Sequence, residues 1–405
     1  MASAPRIALL GLGTVGSAVA GRLLDDDWRA DVEARGLRPP ALVAVGVREP
    51  ARRRAVDVPQ SIDWTEDLGE LVEREDVDVV VELLGGLQPA GALVNRALER
   101  GIAVVTANKA LLAELGPALE RTARRSGAAL RFEAAVAGGI PILAPLARDL
   151  GGNRLEHVRG IVNGTTNFIL SAMTTDGRAY EDALADAQAR GYAEADPSGD
   201  VDGRDAAHKL VLLTRLAFGA WPQPSGIRRV PATLSGDGRP GITGVTIPEI
   251  EAAADLGLAI KLIASAGRTA GEAGGRLIGW VEPCAVSRGS LLGSTSGALN
   301  AVEVGGRPVG RVGFQGPGAG GDATSSAVLA DLLALARGEG STWAALPQAP
   351  PLGELESGHG QATRWLYLAG ESGKISEPMT LPDLRDRLRS RVDAATTLYR
   401  VLEAD

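Results

Sequence analysis

This sequence predicts an α/β fold, a Rossmann doubly wound parallel sheet with an inserted α+β domain, and three observations carry that expectation. Residues 6–10, RIALL, run straight into GLGTVGSAVAGRLL, a short strand followed by a glycine-rich turn and a helix. Short apolar runs then alternate with helical stretches as far as residue 134, the pattern of parallel βαβ units. Beyond about residue 140 the alternation stops, and strands mix with helices in no fixed order.

The second strand is ALVAVGV at 41–47, after a charged, Pro-containing insertion near 25–40. A helix is expected around 65–74, a strand VDVVVEL at 77–83, and a helix from about 89 to 100. The strand IAVVT at 102–106 follows, then a helix after Asn108 and a strand ALRFEA near 129–134. In the second half, HVRGIVNG and GRLIGWVEP read as strands, with helices near 167–176, 179–190, 203–218 and 249–265. The Gly-dense segment GFQGPGAGGDATSSAVLADLLALA ends in a strong helix, and ALPQAPPLGELESGHGQ at 345–361 has the composition of a linker. In the tail, Leu384, Leu388, Val392 and Leu398 fall at helical spacing and predict one more amphipathic helix.

Composition narrows the function classes. A net charge of −8, spread along the 405 residues, argues against nucleic acid or an anionic membrane as the main partner. The single Cys284 leaves no intramolecular disulfide and suits a reducing compartment. No apolar run is long enough to span a membrane, and the first apolar run continues directly into the glycine turn. The expectation is a soluble, cytoplasmic protein.

Gly11, Gly13 and Gly16 give G-x-G-x-x-G between the first strand and the first helix. The first Gly permits a tight turn and the second lets backbone approach a pyrophosphate. The third lets helix and strand pack closely, so the helix N-terminus faces the phosphates. The acid that usually ends the second strand and binds a ribose hydroxyl is missing: Val47 and Arg48 stand there, followed by Glu49 and then Arg52, Arg53 and Arg54. These arginines are either a solvated helix start or partners for a 2′-phosphate, a charge-assisted contact worth roughly 1.5–3 kcal/mol. The second reading favours NADP over NAD.

Between 194 and 205 lie Glu194, Asp196, Asp200, Asp202 and Asp205, in EADPSGDVDGRD. A calcium loop fails in register: with Gly203 as the sixth position, the twelfth is Lys209 rather than a bidentate Glu. An acidic surface turn and a pocket for an ammonium group both remain open. Asp205 and Lys209 are one helical turn apart, which fits an ordinary surface ion pair. Lysine usage points elsewhere. Of 42 Lys plus Arg only four are Lys, at 109, 209, 261 and 374, and only Lys can exchange a proton when its pKa is lowered. Lys109, just after a strand in VVTANKALLA, is the second such case, with Asn108 readable as a helix cap.

Taken together, GLGTVGSAV, VVELLGG, VVTANKALLA, FEAAVAGGIPI, GIVNGTTNFIL, GYAEADPSGDVDGRDAAHKLVLL and GPGAGGDATSSAVLADLLALA resemble homoserine dehydrogenase, in that family's order and over roughly residues 5–338. The resemblance implies NAD(P)-dependent interconversion of L-aspartate 4-semialdehyde and L-homoserine, on the route to threonine, isoleucine and methionine. It implies Lys209 as proton donor, Asp205 as the acid that orients it, and Lys109 near substrate and nicotinamide. Glu194 and Asp200 match positions that hold the amino group, and Thr165 and Thr166 lie in the pocket motif. Cofactor-binding positions implied are Gly11, Gly13, Thr14, Val15, Gly16, Arg48, Leu83, Leu84, Thr106, Asn108, Lys109 and Gly318. Glu133, Val136, Gly138 and Ile140 match a monovalent-cation site, for sodium or potassium, built mainly from backbone carbonyls. A homodimer is implied as well.

The domain plan that follows is a cofactor domain at 1–135, a catalytic and dimerisation domain at 136–311, and a return segment at 312–340 that completes the cofactor domain. A linker and helical tail occupy 341–405. About 45 residues follow the linker, too few for the complete four-strand, two-helix ACT domain of many bacterial relatives, so no ACT-type threonine inhibition is expected. Two rival functions are weighed. A phosphorylating semialdehyde dehydrogenase would need Cys284 as nucleophile, although a buried structural Cys fits VEPCAVSRG better. A dinucleotide-binding sensor or scaffold would bind cofactor without turnover. His157, His208 and His359 give no metal or triad arrangement.

Overall fold

In the computed structural model, residues 4–49, 54–269, 275–349, 351 and 353–402 are described; Arg52 and Arg53 lie outside them. Contacts divide the chain into two units. The first comprises Met1–Gly151, Gly219–Trp221 and Pro317–Pro351, and the second Gly152–Phe218, Pro222–Gly316 and Leu352–Asp405.

The first unit is built on six parallel strands: β1 (Arg6–Leu10), β2 (Ala41–Gly46), β3 (Asp63–Thr65), β4 (Val79–Glu82), β5 (Ala103–Thr106) and β6 (Leu130–Arg131). Their order, β3-β2-β1-β4-β5-β6, reverses direction at β1, the topology of a Rossmann sheet. The strands are apolar on both faces because helices cover both, as parallel sheets require. The expected insertion near 25–40 contains a helix, Asp26–Ala34, started by the Asp25 side chain accepting from Asp27 N and Trp28 N. The expected strand at 129–134 is cut to two residues. At Glu133 the backbone N–H turns instead to Asp331 Oδ2, 2.7 Å away. The return segment docks through helix Gly321–Ala336, whose Ala327, Val328 and Leu332 share one core with Val19, Ala20 and Leu23 of helix Thr14–Leu23.

The second unit carries a nine-stranded mixed sheet. Its strands are β7 (Arg154–Ile161), β8 (Ala232–Thr233), β9 (Leu258–Arg268), β10 (Leu277–Ser287), β11 (Leu299–Arg307), β12 (Gly310–Pro317), β13 (Trp365–Ala369), β14 (Ser372–Ile375) and β15 (Thr397–Leu402). The order is β12-β11-β7-β9-β10-β15-β13-β14, with β8 beside β15. Helices Gly164–Asp176, Tyr180–Ala189 and Arg204–Phe218 stand where the periodicity predicts them.

Two expectations are corrected here. The helix read over 249–265 stops at Asp255, because Gly257 takes a left-handed φ of 73° and residues from Leu258 pair along the whole of β10. The long tail helix is confined to Leu381–Leu388. A turn at Asp393, whose side chain accepts from Ala395 N, redirects the chain into β15. Leu384, Leu388 and Leu398 do meet in one core, but Leu398 arrives on a strand.

Candidate active site

In the first unit, three glycines shape a cleft of about 360 Å³ lined by Gly13, Thr14, Arg48, Leu83 and Leu84 among others. Gly11 adopts φ 98° and a Cβ there would lie 2.9 Å from Leu83 O; a Cβ on Gly16 would lie 2.1 Å from Gly11 O. Gly13 faces open space, which leaves its backbone approachable. Val15, partly buried, packs against the core. Val47 is buried at the strand end and Arg48 is exposed beside it. Arg54 also lines the cleft, but its guanidinium stacks 5.4 Å from the Trp64 ring centroid.

The floor of this region is organised by a residue the sequence reading did not single out. Glu82, fully buried at the end of β4, accepts from Leu84 N at 2.8 Å, Gly85 N at 3.2 Å and the Thr106 hydroxyl at 2.5 Å. Asn108 caps helix Lys109–Ser126 through Leu111 N, and its amide donates to Gly86 O at 2.7 Å. Thr106 and Asn108 therefore fix the loop after β4, and Lys109 opens the helix half-buried. A charged residue ending the apolar run VVVE was the available signal.

In the second unit the acidic run separates into two groups. Asp196 caps its own turn, and Asp202 pairs with Arg204 at 2.7 Å and Arg229 at 3.3 Å. Asp200 and Asp205 turn inward to one amide: Asn163 Nδ2 lies 2.8 Å from Asp200 Oδ1 and 2.9 Å from Asp205 Oδ2. Lys209, 8% exposed, donates to Asp205 Oδ2 and to Val162 O, both at 2.6 Å. Burial pushes the Asp200 carboxyl up, and the Asn163 bond opposes that shift. The Thr165 hydroxyl donates to Tyr192 O at 2.6 Å; buried Thr166 is tied to Asn163 through both its amide and its hydroxyl. Glu194 is exposed, and no bond among the described residues joins it to this cluster.

A buried lysine held between a carboxylate and a carbonyl, next to a second inward carboxylate, is a cluster of polar groups capable of proton exchange. Two family profiles match the chain. The sequence profile of homoserine dehydrogenase matches residues 141–333, and that of its NAD-binding domain matches residues 11–133.

The chain belongs to the homoserine dehydrogenase family.

It is 43% identical to the homoserine dehydrogenase of Synechocystis sp. over 328 residues, spanning 81% of this chain and 72% of that one. Identity to the homoserine dehydrogenase of Mycobacterium tuberculosis is also 43%, over 360 residues, spanning 87% and 78%. Among solved structures, a homoserine dehydrogenase from Thiobacillus denitrificans superposes with a TM-score of 0.86 at 31% identity, spanning 99% of both chains. A hyperthermophilic archaeal homoserine dehydrogenase in complex with NADPH gives 0.65 at 25% identity, spanning 82% and 97%. Homoserine dehydrogenases are oxidoreductases that act on the CH–OH group of a small molecule, and this chain carries the family's NAD(P)-binding domain.

Cys284 is fully buried, and burial, then the nearby Glu282, pushes its thiol well up, the opposite of an activated nucleophile. Between Val136 and Ile140, Ala137 and Gly138 both take left-handed φ, and a Cβ on Gly138 would meet Gly318 O at 2.5 Å. The Glu133 carboxylate is committed to the backbone N–H groups of Ile142, Leu143 and Ala144, each at 2.8 Å.

Proposed function

We propose that this chain catalyses the reversible, NAD(P)-dependent reduction of L-aspartate 4-semialdehyde to L-homoserine. The observation that carries the reading is the Lys209 ammonium, held at 2.6 Å by Asp205 and by Val162 O on a buried helix face. A bound nicotinamide would supply the hydride chemistry for the aldehyde carbon. Lys209 gives one proton to the carbonyl oxygen, so C=O plus hydride plus proton becomes CH–OH. In the reverse direction neutral Lys209 takes the hydroxyl proton. Asp205 and Val162 O aim Nζ.

Asp200 and Glu194 are assigned to the substrate ammonium group, Thr165 and Thr166 to the pocket wall, and Lys109 to the neighbourhood of substrate and nicotinamide. Glycines 11, 13 and 16, with Thr14 and Val15, would cradle the pyrophosphate, and Leu83, Leu84, Thr106, Asn108 and Gly318 would border the cofactor. Arg48 at the strand end, where an acid would reject a 2′-phosphate, supports a preference for NADP. The turn at 136–140 suits sodium or potassium held by the carbonyls of Glu133, Val136, Gly138 and Ile140, since the Glu133 side chain is already satisfied. A cytoplasmic homodimer completes the reading. Among the described residues no helix is long and apolar enough to cross a membrane.

The test is homoserine oxidation followed with NAD and with NADP, for the wild type and Lys209→Ala. Loss of about 10²–10⁴-fold in turnover is expected on removing a general acid; near wild-type turnover would overturn the assignment.

A further inference from the structure

We infer that Asn163 is a positioning residue that holds Asp200 and Asp205 apart on the two hydrogens of one amide, and so keeps substrate binding and proton transfer on separate carboxylates. The inference rests on the functional reading above and extends it to a residue outside that list. Asn163 lies two residues past the end of β7, is 4% exposed, and sits beside Val162, whose carbonyl holds Lys209. Its Oδ1 accepts from Thr166 N at 2.8 Å as the cap of helix Gly164–Asp176. That bond fixes the amide orientation: the flipped form would point an oxygen at two carboxylates. The Nδ2 hydrogens are then both used, one for Asp200 at 2.8 Å and one for Asp205 at 2.9 Å.

Every polar atom of this side chain is therefore engaged, and the neutral amide separates two like charges. The charges acting on Asp200 are Asp205 and Lys209 from helix Arg204–Phe218. Asp202 is drawn outward by its two arginines. Without a shared donor, two partly buried carboxylates this close would favour holding one proton between them. A protonated Asp200 could not pair with an ammonium group, and a protonated Asp205 could not steady the charged Lys209.

Ser and Asp are helix caps comparable to Asn, so Asn163→Ser and Asn163→Asp keep a capping oxygen for Thr166 N while altering the fork. A serine hydroxyl has one hydrogen and can serve one carboxylate; KM for homoserine should rise about tenfold or more, with a fall in kcat. Asn163→Asp adds a third carboxylate, and the acid limb of kcat/KM against pH should move up by about one pH unit or more. Its thermal stability relative to wild type should also fall as pH rises above about 4, because the crowded carboxylates bind protons more tightly folded than unfolded. Kinetics and acid limbs within twofold and within error of wild type for both variants would overturn the inference. A wild type unable to oxidise homoserine would overturn the functional reading instead, while the pH dependence of Asn163→Asp stability would still decide whether the fork separates charge.

Discussion

Lys209 Nζ and Asp205 Oδ2 lie 2.6 Å apart across one turn of a helix whose flank is buried. The same ammonium meets Val162 O at 2.6 Å, so two fixed acceptors define its direction. Such geometry suits a group that must lose and regain one proton without moving.

Lys209→Arg separates charge from proton exchange. The guanidinium keeps the positive charge but stays protonated at any pH used. Turnover with homoserine should fall by about 10²-fold or more, while the thermal midpoint stays near that of the wild type. Retained turnover would show that a fixed charge suffices at this position.

Arg48→Glu tests the cofactor preference. Losing a charge-assisted contact to a 2′-phosphate should raise the KM for NADP by about tenfold or more and leave that for NAD little changed. Equal effects on both cofactors would mean that Arg48 does not read the ribose.

The glycine turn predicts a split between two alanine variants. Gly16→Ala places a Cβ 2.1 Å from Gly11 O, so it should both destabilise the fold and abolish cofactor binding. Gly13→Ala meets nothing within 4 Å, so its stability should hold while cofactor affinity, read by calorimetric titration, falls. Matched losses of stability in both would contradict this account.

Lys261 offers a pH test away from the reaction. Its ammonium is buried against Thr295 O at 2.7 Å and Asn167 Oδ1 at 3.0 Å, and burial lowers its pKa from 10.5 to about 8. The unfolded chain then binds more protons between pH 8 and 10.5, so this group makes stability rise with pH across that window. Below pH 8 the cost is fully present, about 3 kcal/mol at 1.36 kcal/mol per pH unit. Denaturant titrations should show that Lys261→Met removes this rising component, which a difference curve against wild type will display. A flat difference curve would mean that Lys261 is not desolvated.

Much of this was legible in residue order because it depends on local spacing. Glycines at 11, 13 and 16 specify a turn, and Asp205 with Lys209 specifies one helix face. What escaped depended on distant partners. Glu82 becomes a loop anchor only because Thr106, on the neighbouring strand, meets it. Asn163 looks like a helix cap in sequence, and its second duty arises from residues 37 and 42 positions away. Leu398 continued a helical period although the helix had already ended at Leu388. Periodicity reports which residues share a core, not which element delivers them.

The last strand has a consequence for how the chain can be shortened. β15 runs parallel to β10 over Cys284–Val286, and its Arg400 lies 5.0 Å from the ring centroids of both Trp280 and Trp365 while pairing with buried Glu282 at 3.3 Å. Trimming before residue 397 would strip β10 of a neighbour, bare a hydrogen-bonding edge above the only thiol, and leave buried Glu282 with Arg228 at 3.3 Å and His359 at 3.4 Å but without Arg400. Such a fragment should self-associate through that edge, so proteolytic loss of these few residues would register as aggregation before any change in catalysis.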